Sequence, residues 1–251
     1  MNNDLSGRTV VITGGTSGIG LATAKRFLQV GANVAICGRD KGRLKTAVAD
    51  IRNMFGDENL LGVTCDVLDK QQIEIFVNSV VGRFGGVDTL VNNAGQARLS
   101  TFSTTDDAAW REELELKFFS IIYPSKGFQT YLEKSGSGSI VCVSSLLARQ
   151  PEPRLVATAA ARAGQLNLIH SMAVELAPAI RVNSILIGVV ESGQWQRRFE
   201  ADKNSGNDYE AWVRKQAHDK GIPLGRFGQP EEAANAIYFL GTPMSSYTTG
   251  S

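Results

Sequence analysis

The sequence predicts a doubly wound α/β domain, a parallel sheet with helices on both faces, and three observations predict it. Short β-branched runs alternate along the chain with longer helical patterns. The short runs are apolar almost throughout, which suits strands covered on both sides. A glycine-rich turn, Thr13-Gly14-Gly15-Thr16-Ser17-Gly18-Ile19-Gly20, lies directly between the first short run and the first helical pattern.

The elements follow in order. Strands are expected at Thr9–Thr13, Asn33–Cys37, Leu60–Cys65, Thr89–Asn92, Ile140–Val143 and Arg181–Ile187. Helices are expected at Ile19–Val30, Gly42–Phe55, Lys70–Phe84, Asp107–Lys134 and Val156–Leu176, with Pro124 kinking the fourth. The polar excursion 191–220 carries amphipathic pieces around Trp195 and Trp212 and is expected to form a helical lid. A last helix starts at Pro230, with Glu231 and Glu232 in its first turn. No internal repeat or linker divides the chain, so residues 1–251 are expected to form one domain.

Composition narrows the function. The formal net charge of +1 argues against a nucleic-acid partner, which needs a basic face. No run of about 18 uncharged apolar residues spans a membrane, and the first residues lack a secretory pattern. The three cysteines lie in apolar runs and read as buried thiols of a cytoplasmic protein. The two histidines, His170 and His218, are far apart and supply no metal cluster.

The glycine turn fits a phosphate. Gly14 and Gly18 let the backbone approach closely, and Thr16, Ser17 and the N–H groups from Ile19 onward offer donors at a helix N-terminus. At the end of the second strand, Gly38 stands where an NAD-preferring site has an acid, and Arg39 follows. A guanidinium forks onto a phosphate, so NADP(H) is favoured over NAD(H), with Asp40 as the alternative acid that would restore NAD(H).

These motifs, together with Cys65-Asp66-Val67, Asn92-Asn93-Ala94-Gly95, Ser144-Ser145, Arg181-Val182-Asn183 and 223–232, resemble the short-chain dehydrogenase/reductase family along essentially the whole chain. The resemblance implies a Rossmann fold, an oxidoreductase acting on a small-molecule carbonyl or alcohol, and a homo-oligomer, tetramer or dimer. By the same likeness Asp66 meets the adenine amine with Val67 beside it, Asn93, Ala94 and Gly95 lie on the ribose side, and Gly188, Val190 and Ser192 line the nicotinamide amide. Two departures concern the frame. Ile187 precedes Gly188 where the family has proline, and the chain stops at Ser251, where family members run into a final strand, so either that strand is missing from this sequence or the sheet and oligomer edge differ.

The family's Asn-Ser-Tyr-Lys set is also altered. Aligning on Ser145 places Thr158 at the Tyr position and Arg162 at the Lys position, and counting from Trp110 places Lys117 at the Asn position. A threonine hydroxyl is too weak an acid to replace a phenol of pKa about 10, and arginine stays protonated. Lys117 is the titratable newcomer. Pointed inward beside Arg162 it would lose basicity and could act as the general acid; the alternative is a solvated pair with Glu113 one turn earlier. Gln96, Arg98, Leu146, Arg149, Glu152 and Trp195 are weaker pocket candidates, the two arginines compatible with an anionic substrate but each better suited to a surface role. Two other functions remain open: an NADP-binding protein without turnover, acting as sensor or partner subunit, and a non-redox lyase or isomerase.

Overall fold

The computed structural model describes residues 4–202 and 206–251. Strands β1 (Thr9–Thr13), β2 (Asn33–Gly38), β3 (Leu60–Thr64), β4 (Thr89–Asn92), β5 (Gly138–Ser145) and β6 (Ile180–Ile187) form one parallel sheet in the order β3-β2-β1-β4-β5-β6. Helices α1 (Gly18–Leu28), α2 (Lys41–Phe55), α3 (Lys70–Phe84), α4 (Asp107–Lys134), α5 (Val156–Glu175) and α8 (Pro230–Gly241) cover it, and α6 (Gly193–Ala201) and α7 (Tyr209–Asp219) form the excursion after β6. The order reverses between β1 and β4, so a crevice opens there at the carboxyl ends of the strands.

The period of two along each strand sorts the apolar residues into two cores. Val11, Ala35, Leu90, Ile140 and Val182 face one layer with Phe76 and Phe128, whose rings meet edge-on at 5.7 Å. Val10, Ile12, Val34, Ile36, Val91 and Val141 face the other, with Phe27 and Tyr238. Both sets are nearly dry, so the strands read as continuous apolar runs.

The element boundaries differ from the sequence expectation in places with a clear cause. β5 is longer at both ends, because Ser139, Ser144 and Ser145 pair with β6 although their polarity hides them from a hydrophobic pattern. α1 stops at Leu28, and Gly31 with φ +80° turns the chain into β2. α4 is one 28-residue helix that runs through Pro124. α8 begins with proline and a capping box in which the Glu232 carboxylate accepts from Gln229 N at 2.7 Å. At the outer edge of β6, Gly250 N donates to Val182 O and Ser184 N donates to Ser251 O. The lid has its own small aromatic core of Trp195, Trp212, Phe199, Tyr209 and Phe227.

Candidate active site

The glycine turn needs its glycines. Gly14 and Gly18 take φ of +66° and +52°, where an L side chain is strained. A Cβ on Gly20 would stand 2.3 Å from the Gly14 carbonyl oxygen and 2.5 Å from Asn93 Nδ2, and one on Gly15 would stand 2.6 Å from the Ile36 side chain. Ser17, the residue before α1, makes no side-chain cap, which leaves the first N–H groups of the helix free for a ligand. A dinucleotide pyrophosphate fits this arrangement of close backbone and open donors.

Asn93 ties the turn to the far side of the crevice. Its Nδ2 donates to Thr13 O and Gly14 O, both at 3.0 Å, while Thr13 Oγ1 accepts from Asn93 N and Ala94 N at 3.0 and 3.1 Å. The side-chain amide of Asn93, a residue the family likeness places on the ribose side, is therefore occupied in shaping the turn. Gly95 follows in the open crevice, and a Cβ there would lie 3.5 Å from Arg162 Nη2.

At the other end of the crevice Arg39 Nη1 lies 3.7 Å from Asp66 Oδ2, which brings these two adenosine-side candidates together, while the adjacent Val67 is buried. A Cβ on Gly38 would meet Thr16 Cγ2 at 2.7 Å, so the turn's own threonine occupies the place of an acidic side chain. Asp40 is committed elsewhere. It caps α2, accepting from Arg43 N at 2.8 Å, and that bond holds its carboxyl below the ordinary carboxylate value.

Gly188, Val190 and Ser192 lie on the strand-to-lid segment after β6. Gly228 N donates to Val189 O, and Glu191 N donates to Gly228 O, which docks the 223–232 motif against that segment. Ser192 precedes α6 with its hydroxyl unspent on a cap.

Where β5, α4 and α5 meet, the structure gathers a cluster of charged side chains out of solvent. Lys117 is 1% exposed and Glu113 3%. Lys117 Nζ donates to Glu113 Oε1 and, at 2.7 Å, to Gln96 O. The expected alternative of a solvated pair is corrected here: the pair forms, but inside the protein. Thr158 Oγ1 donates to the same Glu113 oxygen at 2.9 Å. Arg162 Nη1 donates to Val143 O at 2.9 Å and to Gln165 Oε1 at 2.7 Å, and its buried Nε has no partner among the described residues. Gln165 Nε2 closes the network onto Lys117 O at 2.7 Å. Ser145, half-buried at the end of β5, accepts from Leu147 N at 3.2 Å.

Burial dominates the electrostatics. It pulls the Lys117 ammonium below its ordinary value, with the Arg162 charge acting in the same direction and the Glu113 hydrogen bond opposing it. Arg162 is lowered to about 10 by the same desolvation. Cys142, beneath the cluster, is pushed up to about 12 and stays a thiol.

Glu113 and Gln165 were not singled out from the sequence as site residues. The signal for Glu113 was present: it stands on the buried stripe of α4 with Lys117, Ser120, Ile121, Pro124 and Phe128, spaced by three or four. Of the weaker candidates, Gln96 contributes its carbonyl, whereas Arg98 turns outward to Glu112 at 2.6 Å. A cavity of about 280 Å³ lies between Ala97, Leu99 and Leu155 on one side and Gln194, Arg197 and Arg198 of α6 on the other. No group of three or more metal-ligating side chains occurs among the described residues, and no helix among them is long and apolar enough to cross a membrane.

The match to known proteins covers the same elements. Residues 8–203 match the short chain dehydrogenase family. The chain is 34% identical to the 3-oxoacyl-[acyl-carrier-protein] reductase of Thermotoga maritima, over 98% of this chain and 95% of that one. A short chain oxidoreductase from Pseudomonas aeruginosa PAO1, described as containing an atypical catalytic center, is 54% identical. Its apo structure superposes with a TM-score of 0.96, covering 98% of this chain and 95% of that one. Its NADPH-bound structure superposes at 0.93, covering 98% and 94%. The L-sorbose reductase of Gluconobacter frateurii, solved with NADPH and L-sorbose, is 32% identical with a TM-score of 0.93, over 100% and 95% of the two chains. This protein belongs to the short chain dehydrogenase family of oxidoreductases.

Proposed function

We propose that the protein is an NADP(H)-dependent oxidoreductase interconverting a carbonyl and an alcohol, with Lys117 as its proton donor. The observation that carries this reading is the buried Lys117 ammonium in the Arg162 network. It is a titratable donor whose basicity is already reduced, and general acids work best when their pKa is brought toward the operating pH. Two of its three N–H donors are used, on Gln96 O and Glu113. The third would serve a substrate oxygen, directly or through one water.

The other side chains have complementary tasks. Thr158 carries its hydroxyl on Cβ, far short of where a tyrosine hydroxyl would reach, and that hydroxyl is given to Glu113. It orders the network and does not deliver the proton. Arg162 would hold the ribose hydroxyls beside Gly95, and Ser145 would orient the substrate oxygen. A bound nicotinamide supplies the hydride. Arg39, with Asp40 withdrawn into a helix cap, supports the 2′-phosphate of NADP(H), and the NADPH-bound relatives support the same cofactor.

The test is paired. NADPH and NADH are titrated against the purified protein, and carbonyls are then screened for cofactor oxidation with wild type and Lys117→Met. Tighter binding of NADPH, with turnover that Lys117→Met lowers at least about 100-fold, is the expected result. Tight binding without turnover across a broad panel would instead favour a sensor or partner subunit.

A further inference from the structure

The mechanism above uses Lys117 but leaves a buried carboxylate unexplained. Glu113 lies one helical turn before Lys117 on α4, and one of its oxygens accepts from both Lys117 Nζ and Thr158 Oγ1. An acid almost fully removed from solvent needs a reason, because burying an ionised carboxylate is costly unless it is paired and hydrogen-bonded.

We infer that Glu113 is a positioning residue of the reaction: its carboxylate keeps the Lys117 ammonium charged and fixed in place beside Gln96 O, and anchors the Thr158 hydroxyl. This rests on the reading of Lys117 as proton donor. The groups facing the pair make the need plain. Arg162 comes from α5 and repels the ammonium, Cys142 of β5 is a neutral thiol, and Arg98 on the loop after β4 is taken by Glu112. Glu113 is the one negative side chain bonded to Lys117 among the described residues. Removing its charge would leave two cations in a desolvated cluster, and the lysine would give up its proton first, since arginine holds its own far more firmly. An amine without that proton cannot protonate an alkoxide. Gln96 O, the remaining acceptor, fixes direction but adds no charge.

Glu113→Gln preserves the shape and one acceptor oxygen while removing the charge. In carbonyl reduction the active form has Lys117 protonated, so kcat/KM falls as pH rises through the lysine's pKa. Glu113→Gln should move that alkaline limb to lower pH by at least about one unit, the size expected from losing an adjacent opposite charge. A merely structural role would lower activity evenly at all pH and leave the limb in place, and that result would overturn the proposal. The titration of the Lys117 side chain, followed by NMR in the cofactor-free protein and assigned by its disappearance in Lys117→Met, reads the same quantity without turnover. An unmoved titration overturns the role of Glu113; a moved titration alongside an active Lys117→Met leaves that role standing and removes Lys117 as the donor. Should Glu113→Gln not fold, Glu113→Asp, which keeps the charge but withdraws it by one methylene, is expected to shift the limb in the same direction by a smaller amount, and no shift again overturns the proposal.

Discussion

Thr158 and Glu113 lie 45 residues apart, and the threonine hydroxyl donates to the glutamate Oε1 at 2.9 Å in the interior where α4 crosses α5. The bond defines what the threonine can do. Replacing Thr158 with valine preserves shape and removes the donor, which should cost about 1.5 kcal/mol, as for other hydrogen bonds to a charged group. Turnover should fall much less than in Lys117→Met. Chemical denaturation and steady-state kinetics on the same preparation measure the two effects, and equal kinetic losses would mean that the threonine itself carries the proton.

Arg39 is the proposed determinant of cofactor preference. Arg39→Ala should weaken NADPH binding about 10- to 100-fold, the range for a lost charge-assisted contact worth 1.5–3 kcal/mol, and leave NADH within about threefold. Calorimetric titration of both nucleotides distinguishes this from a solvated charge, whose removal would move neither.

Gly20 tests the cradle. Its added Cβ would press on the Gly14 carbonyl and the Asn93 amide. Gly20→Ala should lower stability by about 1–3 kcal/mol, the usual cost of overpacking, and abolish measurable NADPH binding. A thermal melt with and without NADPH shows both effects; a normal nucleotide-dependent rise in Tm would contradict the close approach.

The start of α8 should show in acid. Arg226 donates to both Glu232 oxygens, at 2.7 and 2.6 Å, and with the Gln229 N–H it draws the carboxyl down to about 2. The unfolded chain keeps an ordinary glutamate near 4.3. A depressed folded value contributes stability that is full above the unfolded pKa and is lost as pH falls from about 4.3 toward 2. Glu232→Gln should therefore flatten the Tm profile in that window, and an unchanged profile would mean that the exposed pair is fully screened.

Much of the candidate site was legible because a turn suited to a phosphate leaves local marks. The turn 13–20 announces itself through glycines at positions where a Cβ would collide (Gly15, Gly20) or φ is positive (Gly14, Gly18), and Arg39 through its place at the end of β2. Lys117, Thr158 and Arg162 could be found by counting along family-like stretches, and the structure brings Lys117 and Thr158 onto one carboxylate and joins Arg162 to them through Gln165. Glu113 escaped because a glutamate four residues before a lysine is ordinary on a helix surface, and only the packing of α5 against α4 reveals that this pair faces inward. The ends of β5 escaped for the opposite reason: serines pair with a neighbouring strand through their backbone, and a hydrophobic pattern cannot register that. The role of Asn93 within the turn escaped because its side-chain amide bonds reach partners 79 and 80 residues away.

Two of the protein's three tryptophans, Trp195 and Trp212, sit in the lid with ring centres 6.3 Å apart, and Trp195 also contacts Phe227 at 4.7 Å and lies under the Arg198 guanidinium. Indole emission depends on what surrounds the ring, so the lid carries its own optical reporter. Any ligand that draws Arg198 off the Trp195 face would change the fluorescence of the unlabelled protein, and stopped-flow mixing could then time the lid separately from the chemistry.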